Sequence, residues 1–205
     1  MTQTQPTIVV LAAGQGSRFK GTQHKLEQAL NGSSVLGTTL SHVRASGLPV
    51  VLVATRPIAA HAQRWLPARD IVTLSDEQAR RGMGSSIAAG VSHTGSSAGW
   101  LILPADMPLV RARTLRAVAA ALATHPVVYA QYRGRRGHPV GFAAELYSEL
   151  VVLSGDEGAR RIVARYPVHG EEVDDPGVLM DIDTVEDLQL VQSRVAAGEL
   201  PSAAA

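Results

Sequence analysis

Short β-branched runs alternate along the chain with longer stretches rich in Ala and Leu, the rhythm of βα units feeding a largely parallel sheet. Thr7–Ala12, Val50–Ala54, Ile71–Leu74, Trp100–Pro104 and Val127–Gln131 read as strands. Between them, Val35–Ser46, Ile58–Leu66, Gly84–Ser92 and Ala112–Thr124 carry apolar residues at three- and four-residue spacings and read as helices. Ile8, Val9, Val10 and Leu11 show no alternation, which puts that strand in mid-sheet with both faces covered.

After Gln131 the rhythm changes. Tyr132–Phe142, with Gly134, Gly137 and Pro139, is hairpin-like, and helices are expected at Ala143–Leu150 and Glu157–Tyr166, so that residues 132–166 read as a lid-like insertion. Gly177–Asp183 reads as extended and Thr184–Ala197 as an amphipathic helix, with Thr184 and Asp187 spaced as a capping box. The expected fold is therefore α/β and Rossmann-like, a mostly parallel twisted sheet with helices on both faces and a small hairpin insertion. One domain is expected over 1–198, with a disordered tail at 199–205.

Composition narrows the function classes. The chain has 205 residues, and its 19 Lys+Arg against 18 Asp+Glu give a net charge of +1, without the basic field of a dedicated nucleic-acid binder. Having no Cys, it has no disulfide, thiolate zinc site, iron–sulfur cluster or Cys nucleophile. No apolar run approaches the ~18 residues of a membrane span, and the first residues lack a cationic signal start, so a cytoplasmic protein with no membrane or nucleic-acid partner is expected.

The first candidate chemistry follows the first strand. Leu11-Ala12-Ala13-Gly14-Gln15-Gly16-Ser17-Arg18 places glycines and small residues where open α/β sheets bind ligands. A dinucleotide fingerprint fails because Phe19 stands at its third glycine, and a P-loop fails because Thr22 follows Gly21. What remains is a loop with two cations, Arg18 and Lys25, suited to a triphosphate. At ~4 Å each cation–phosphate pair is worth from ~1 kcal/mol in water to ~4 kcal/mol near a protein surface. The plain alternative is an exposed glycine turn carrying two surface cations.

Asp106 leaves an apolar strand between Pro104 and Pro108, at the ligand-binding edge. Asp181 and Asp183, two apart in an extended segment, share a face. Two carboxylates facing together suit Mg²⁺, which takes one or two carboxylates and leaves its other positions to water and substrate phosphates. One of the later pair could instead cap the helix beginning near Thr184.

Gly82, Met83, Gly84, Ser85 and Ser86 form a small-residue turn against which a base could pack, or alternatively an N-cap at Ser85 or Ser86. Arg133, Arg135, Arg136 and His138 make a compact basic hairpin, read as a lid over an anionic substrate or as a solvated turn. Asp156 and Arg160 open a helix, and by spacing alone could form an i,i+4 ion pair. His24, His42, His61, His93, His125 and His169 have no ligand spacing and read as surface or filler residues.

Leu11 to Lys25, with Ala12, Ala13, Gly14, Gly16, Arg18 and Lys25 in order, resembles the signature of nucleotidyltransferases of the sugar-phosphate and molybdenum cofactor groups. Gly82–Gly90, Leu103–Pro108, Gly137–Gly141, Gly155–Arg160 and Asp181–Leu188 are similar to the molybdenum cofactor cytidylyltransferases. This resemblance, over about residues 8–190, implies a Mg²⁺-dependent transfer of CMP from CTP to molybdopterin. It implies nucleotide contacts at Leu11, Ala12, Ala13, Gly14, Gly16, Ser17, Arg18, Lys25, Gly82, Met83, Gly84, Ser85 and Ser86. Arg18, Lys25 and Asp106 would be catalytic, with the metal on Asp106 and on Asp183, favoured over Asp181. Arg135, His138, Asp156 and Arg160 would border the acceptor, and a molybdoenzyme is the implied partner. Two departures, the long gap from Arg18 to Lys25 and His24 where Pro is common, bear on substrate choice. A guanylyltransferase, a sugar-phosphate nucleotidyltransferase and a non-catalytic cofactor-binding chaperone are the alternatives.

Overall fold

A computed structural model describes residues 4–16, 18–20, 23–30 and 32–197. In chain order the elements are β1 (Thr7–Ala12), β2 (Ala29–Leu30), β3 (Ser33–Ser34), α1 (Val35–Ala45), β4 (Val50–Thr55), α2 (Arg56–Ala62), β5 (Ile71–Leu74), α3 (Asp76–Arg80), α4 (Met83–His93) and β6 (Gly99–Pro104). There follow α5 (Ala112–Ala121), β7 (Val127–Tyr132), β8 (Arg135–Ala143), α6 (Tyr147–Leu150), α7 (Arg160–Arg165), β9 (Val168–Glu172) and α8 (Val185–Ala196). The Ser17 assignment and the expected 199–205 tail lie outside the described residues.

Seven strands form one sheet in the order β5-β4-β1-β6-β8-β7-β9. β1 pairs parallel with β4 on one side and β6 on the other. Ile8, Val9 and Val10 are fully buried, as the unbroken apolar run requires. Alternate β1 residues face opposite cores. Ile8 and Val10 pack with Leu36 and Leu40 of α1, Leu115 of α5 and Val191 of α8. Val9 packs with Ile87 and Val91 of α4 and with Leu150 and Ile162 of α6 and α7. Gly90 lets α4 lie close, since a Cβ there would fall 2.4 Å from Val9 Cγ1. The chain leaves β1 toward β4 on one side and later returns to β6 on the other, so the carboxyl end of β1 is a topological switch point, where open sheets leave a ligand crevice.

Residues 132–166 differ from the expected insertion. β8 enters the main sheet antiparallel between β6 and β7, with Leu101 facing Gly141 and Trp100 facing Phe142. The buried Phe142 and Gly141 supply a strand end that fits the core, while Arg135–Pro139 run on past the last β6 pairing at Val140 toward the Arg133–Gly134 turn. The helix expected at Ala143–Leu150 begins at Tyr147 after a 3₁₀ turn, and the one expected at Glu157–Tyr166 begins at Arg160. Gly177–Asp183 is not a continuous extended segment, because Pro176–Leu179 form a 3₁₀ turn initiated when the Asp175 side chain accepts from Gly177 N–H. β9 and α3 were not expected from the pattern: β9 is a half-polar edge strand and α3 a five-residue helix with no buried side chain.

Candidate active site

The β1–β6 crevice opens into a cavity of about 810 Å³, within the usual range for a small-molecule site. One wall is the loop after β1, including Gly14, Gly16 and Arg18, and Asp106 lies at the end of β6. Two backbone bonds fix this edge: Ala105 N–H donates to Leu11 C=O at 2.9 Å, and Ile182 N–H donates to Asp106 C=O at 2.9 Å. Ile182 is fully buried, so the strand exit at 106 and the segment carrying Asp181 and Asp183 are clamped together. Asp175, itself buried, accepts from Arg111 N–H at 2.9 Å and Thr114 Oγ1 at 2.6 Å, tying the turn before that segment to α5.

Lys25 stands at the centre. Its Nζ donates to Asp106 Oδ2 at 2.5 Å and to Asp183 Oδ1 at 2.7 Å, while Arg18 Nη1 lies 2.8 Å from Asp183 Oδ2. Lys25, Asp106 and Asp183 are largely buried, whereas the Arg18 side chain is 76% exposed. Burial pulls Lys25 downward, but Asp106 and Asp183 outweigh it and hold its pKa above the ordinary lysine value. Burial likewise opposes the charged form of Asp183, yet Lys25 and Arg18 hold its carboxyl below the usual range. Asp181 moves the other way, raised by burial and by the nearby Asp183 and Asp106 charges. The two later acids are thus distinguished: Asp183 is the cation-paired one.

Neither acid caps the last helix. Thr184 does, its Oγ1 accepting from Asp187 N–H, while Asp187 Oδ2 accepts from the N–H groups of both Asp183 and Thr184. The capping box spacing is therefore realised, and it also fixes the backbone of Asp183. His24, expected to be a surface or filler residue, pins the glycine loop: its Nε2 is 3.2 Å from Gly14 C=O, and its Nδ1 accepts from Leu26 N–H. That pairing requires the tautomer with the proton on Nε2.

Arg135, Arg136 and His138 line the cavity with Asp156. Burial lowers His138, with Asp106 partly offsetting it, so its imidazole is neutral at pH 7. Arg133 turns away to lie over the Tyr132 ring. Arg160 is exposed and does not line the cavity, and the ion pair of its helix is Arg161 with Glu157 at 2.6 Å rather than Arg160 with Asp156. Gly82, Met83 and Ser86 line the cavity, whereas Gly84 and Ser85 do not. The cap of α4 is Gly82 and neither serine, with φ of 92° and no side-chain capping bond. Gly84 N–H instead donates to Gly155 C=O at 2.9 Å, and Gly155 N–H to Arg81 C=O at 2.8 Å, so this turn packs on the 154–156 loop. Ala79 and Arg80 of α3 also reach the cavity, and no periodicity or motif marked them.

Among the described residues, no three His, Asp or Glu side chains converge so as to hold a metal ion unaided. The arrangement is instead three cavity-lining carboxylates, Asp106, Asp181 and Asp183, with Lys25 and Arg18 paired to two of them beside a glycine loop, a set that can orient a polyphosphate. Residues 8–171 match the family described as MobA-like NTP transferase domain. The chain belongs to that family. It is an enzyme of the nucleotidyltransferase type. Purine catabolism protein PucB of Bacillus subtilis (strain 168) is 31% identical over 198 residues, 90% of this chain and 94% of that protein. Rv0371c from Mycobacterium tuberculosis H37Rv superposes with a TM-score of 0.80 at 28% identity, over 93% of this chain and 99% of its own. Its complex with manganese superposes with a TM-score of 0.77 at 26% identity, over the same shares. Among the described residues no helix is long and apolar enough to cross a membrane.

Proposed function

We propose that the protein transfers CMP from CTP to molybdopterin and releases pyrophosphate, with a divalent metal, Mg²⁺ in the cell, at Asp106 and Asp183. The observation that carries this reading is the Lys25 ammonium held between Asp106 and Asp183 on the cavity that the glycine loop lines. Those residues suit a hard cation: Asp106 Oδ1 is buried without a hydrogen-bond partner, and the donors are carboxylate oxygens. The manganese complex of Rv0371c supports the same choice of ion class. When bound, the metal supplies Lewis-acid neutralisation of the phosphates.

The chain's own residues do the rest. The loop at Gly14 and Gly16 offers backbone to the triphosphate, and Arg18 and Lys25 offset its charge. Arg135 and the neutral His138 face the acceptor's phosphate from the opposite strand. An oxygen of that phosphate attacks the α-phosphorus in line, forming the new P–O bond as the bond to the β-phosphate oxygen breaks and pyrophosphate leaves. No side-chain nucleophile is needed, because positioning and electrostatics carry such transfers. A molybdoenzyme is the proposed recipient of the product. The proposed unit is one domain over 1–198.

The test is to incubate the protein with Mg²⁺, each nucleoside triphosphate in turn and molybdopterin, and to measure pyrophosphate. Release that needs both CTP and molybdopterin is expected. Release with GTP makes it a guanylyltransferase, and release with a sugar phosphate in place of molybdopterin a sugar-phosphate enzyme. Molybdopterin binding with no release from any pair makes it a chaperone.

A further inference from the structure

We propose that Lys25 holds the divalent-cation position in the unloaded protein, so that metal and triphosphate enter together by exchange. This rests on the metal position proposed above at Asp106 and Asp183. The Lys25 nitrogen lies 2.5 Å from one acid and 2.7 Å from the other. A divalent ion held by the same two carboxylates would compete with that ammonium for their oxygens. Asp183 offers no uncommitted oxygen, since Oδ1 accepts from Lys25 and Oδ2 faces Arg18 at 2.8 Å. Asp106 offers only Oδ1. A metal that bridges the acids therefore displaces at least one cation.

The charge count shows when this exchange is favourable. Lys25 and Arg18 already pair with Asp106 and Asp183, with Asp181 beside them, so a metal ion arriving alone has to compete with two cations and brings no anion to receive them. A triphosphate arriving with the metal supplies that anion, and both cations line the cavity it would enter. The exposed Arg18 side chain is free to swing, and the long Lys25 stem moves its charge by rotation about single bonds. Metal and nucleotide then strengthen each other's binding by the same factor, as linkage requires. Lys25 thus also keeps the paired acids from capturing stray divalent ions.

Mn²⁺ binding to the whole protein, read by electron paramagnetic resonance without nucleotide, tests this. Lys25→Met is expected to bind Mn²⁺ at least ~10-fold more tightly than wild type, because a competing charge is gone. Adding Asp106→Asn to that variant is expected to abolish the gain. An affinity for Lys25→Met equal to or weaker than wild type overturns the exchange and means the ion takes Asp106 Oδ1 with Lys25 in place. A gain that survives Asp106→Asn overturns it too. If Lys25→Met fails to fold, Lys25→Gln decides: tighter Mn²⁺ binding supports the exchange, and unchanged or weaker binding overturns it. Pyrophosphate release is measured in parallel on wild type. Turnover without a gain in Lys25→Met removes the exchange alone, whereas a gain without turnover removes the transfer reading and keeps the exchange.

Discussion

The main-chain N–H of Ile182 donates to the carbonyl of Asp106 over 2.9 Å, and through it the acid at the end of β6 is held beside the segment that carries Asp183. The Ile182 side chain is fully buried in the core beneath, so the bond and the packing act on the same residue. Ile182→Ala keeps the N–H but empties the core beneath it, and is expected to cost about 2–5 kcal/mol in urea denaturation. Pyrophosphate release by the folded variant should also fall. A stability within about 0.5 kcal/mol of wild type, the range of surface changes, would show that this clamp is not anchored by packing.

Lys25→Ala and Asp106→Ala are each expected to lower kcat by at least ~10²-fold, the scale of losing one preorganised electrostatic contact. Steady-state pyrophosphate release checks this, with circular dichroism to establish folding. Near-normal rates in both variants would remove the centre.

Gly82 has φ of 92°, and a Cβ there would sit 2.4 Å from the Gly155 backbone carbon and 2.5 Å from Asp156 Oδ1. Gly82→Ala therefore combines backbone strain of about 1–3 kcal/mol with a backbone collision. Lower stability is expected together with faster amide exchange at Gly84 and Gly155, whose N–H groups join the two loops. Unchanged exchange at both amides would contradict this packing.

The buried His42 sets an acid limit on stability. Burial lowers its pKa, and Arg111 adds to this, against the raising effects of the Pro108 and Val110 carbonyls and of Asp175. Because the folded value lies below the unfolded one, the unfolded chain takes up the proton first as pH falls. The His42 contribution is full above about pH 6.5 and is withdrawn as the pH drops from there toward the folded value. Midpoints of urea denaturation between pH 7.5 and 5 should fall, and fall less in His42→Gln. An NMR titration of His42 at or above the ordinary histidine value would contradict the sign.

What could be read in the sequence was what local pattern controls. β1 was legible because a short, β-branched apolar run that ends in a glycine turn suits a strand covered on both faces, and the α8 cap because Thr184 and Asp187 interact within one turn. The glycine loop, Asp106 and the later acids were legible as chemistry, since each sits where a strand or helix ends. What escaped depends on distant partners. The place of β8 is set by pairing with β6, which Tyr132–Phe142 alone does not encode. The role of His24 depends on Gly14 across a turn, and the reach of Arg80 into the cavity on where α3 lands. The pairing of Lys25 with Asp183 spans most of the chain, so spacing could suggest both residues but not their contact.

The most direct test of the central claim is a crystal grown with Mn²⁺ and a non-hydrolysable CTP analogue, with the metal located by anomalous scattering. The account predicts one peak within coordination distance of Asp106 and Asp183 and of the analogue's phosphates, with Lys25 Nζ moved onto the triphosphate. A peak that touches neither carboxylate, or a triphosphate lying away from the Gly14–Gly16 loop, would contradict it.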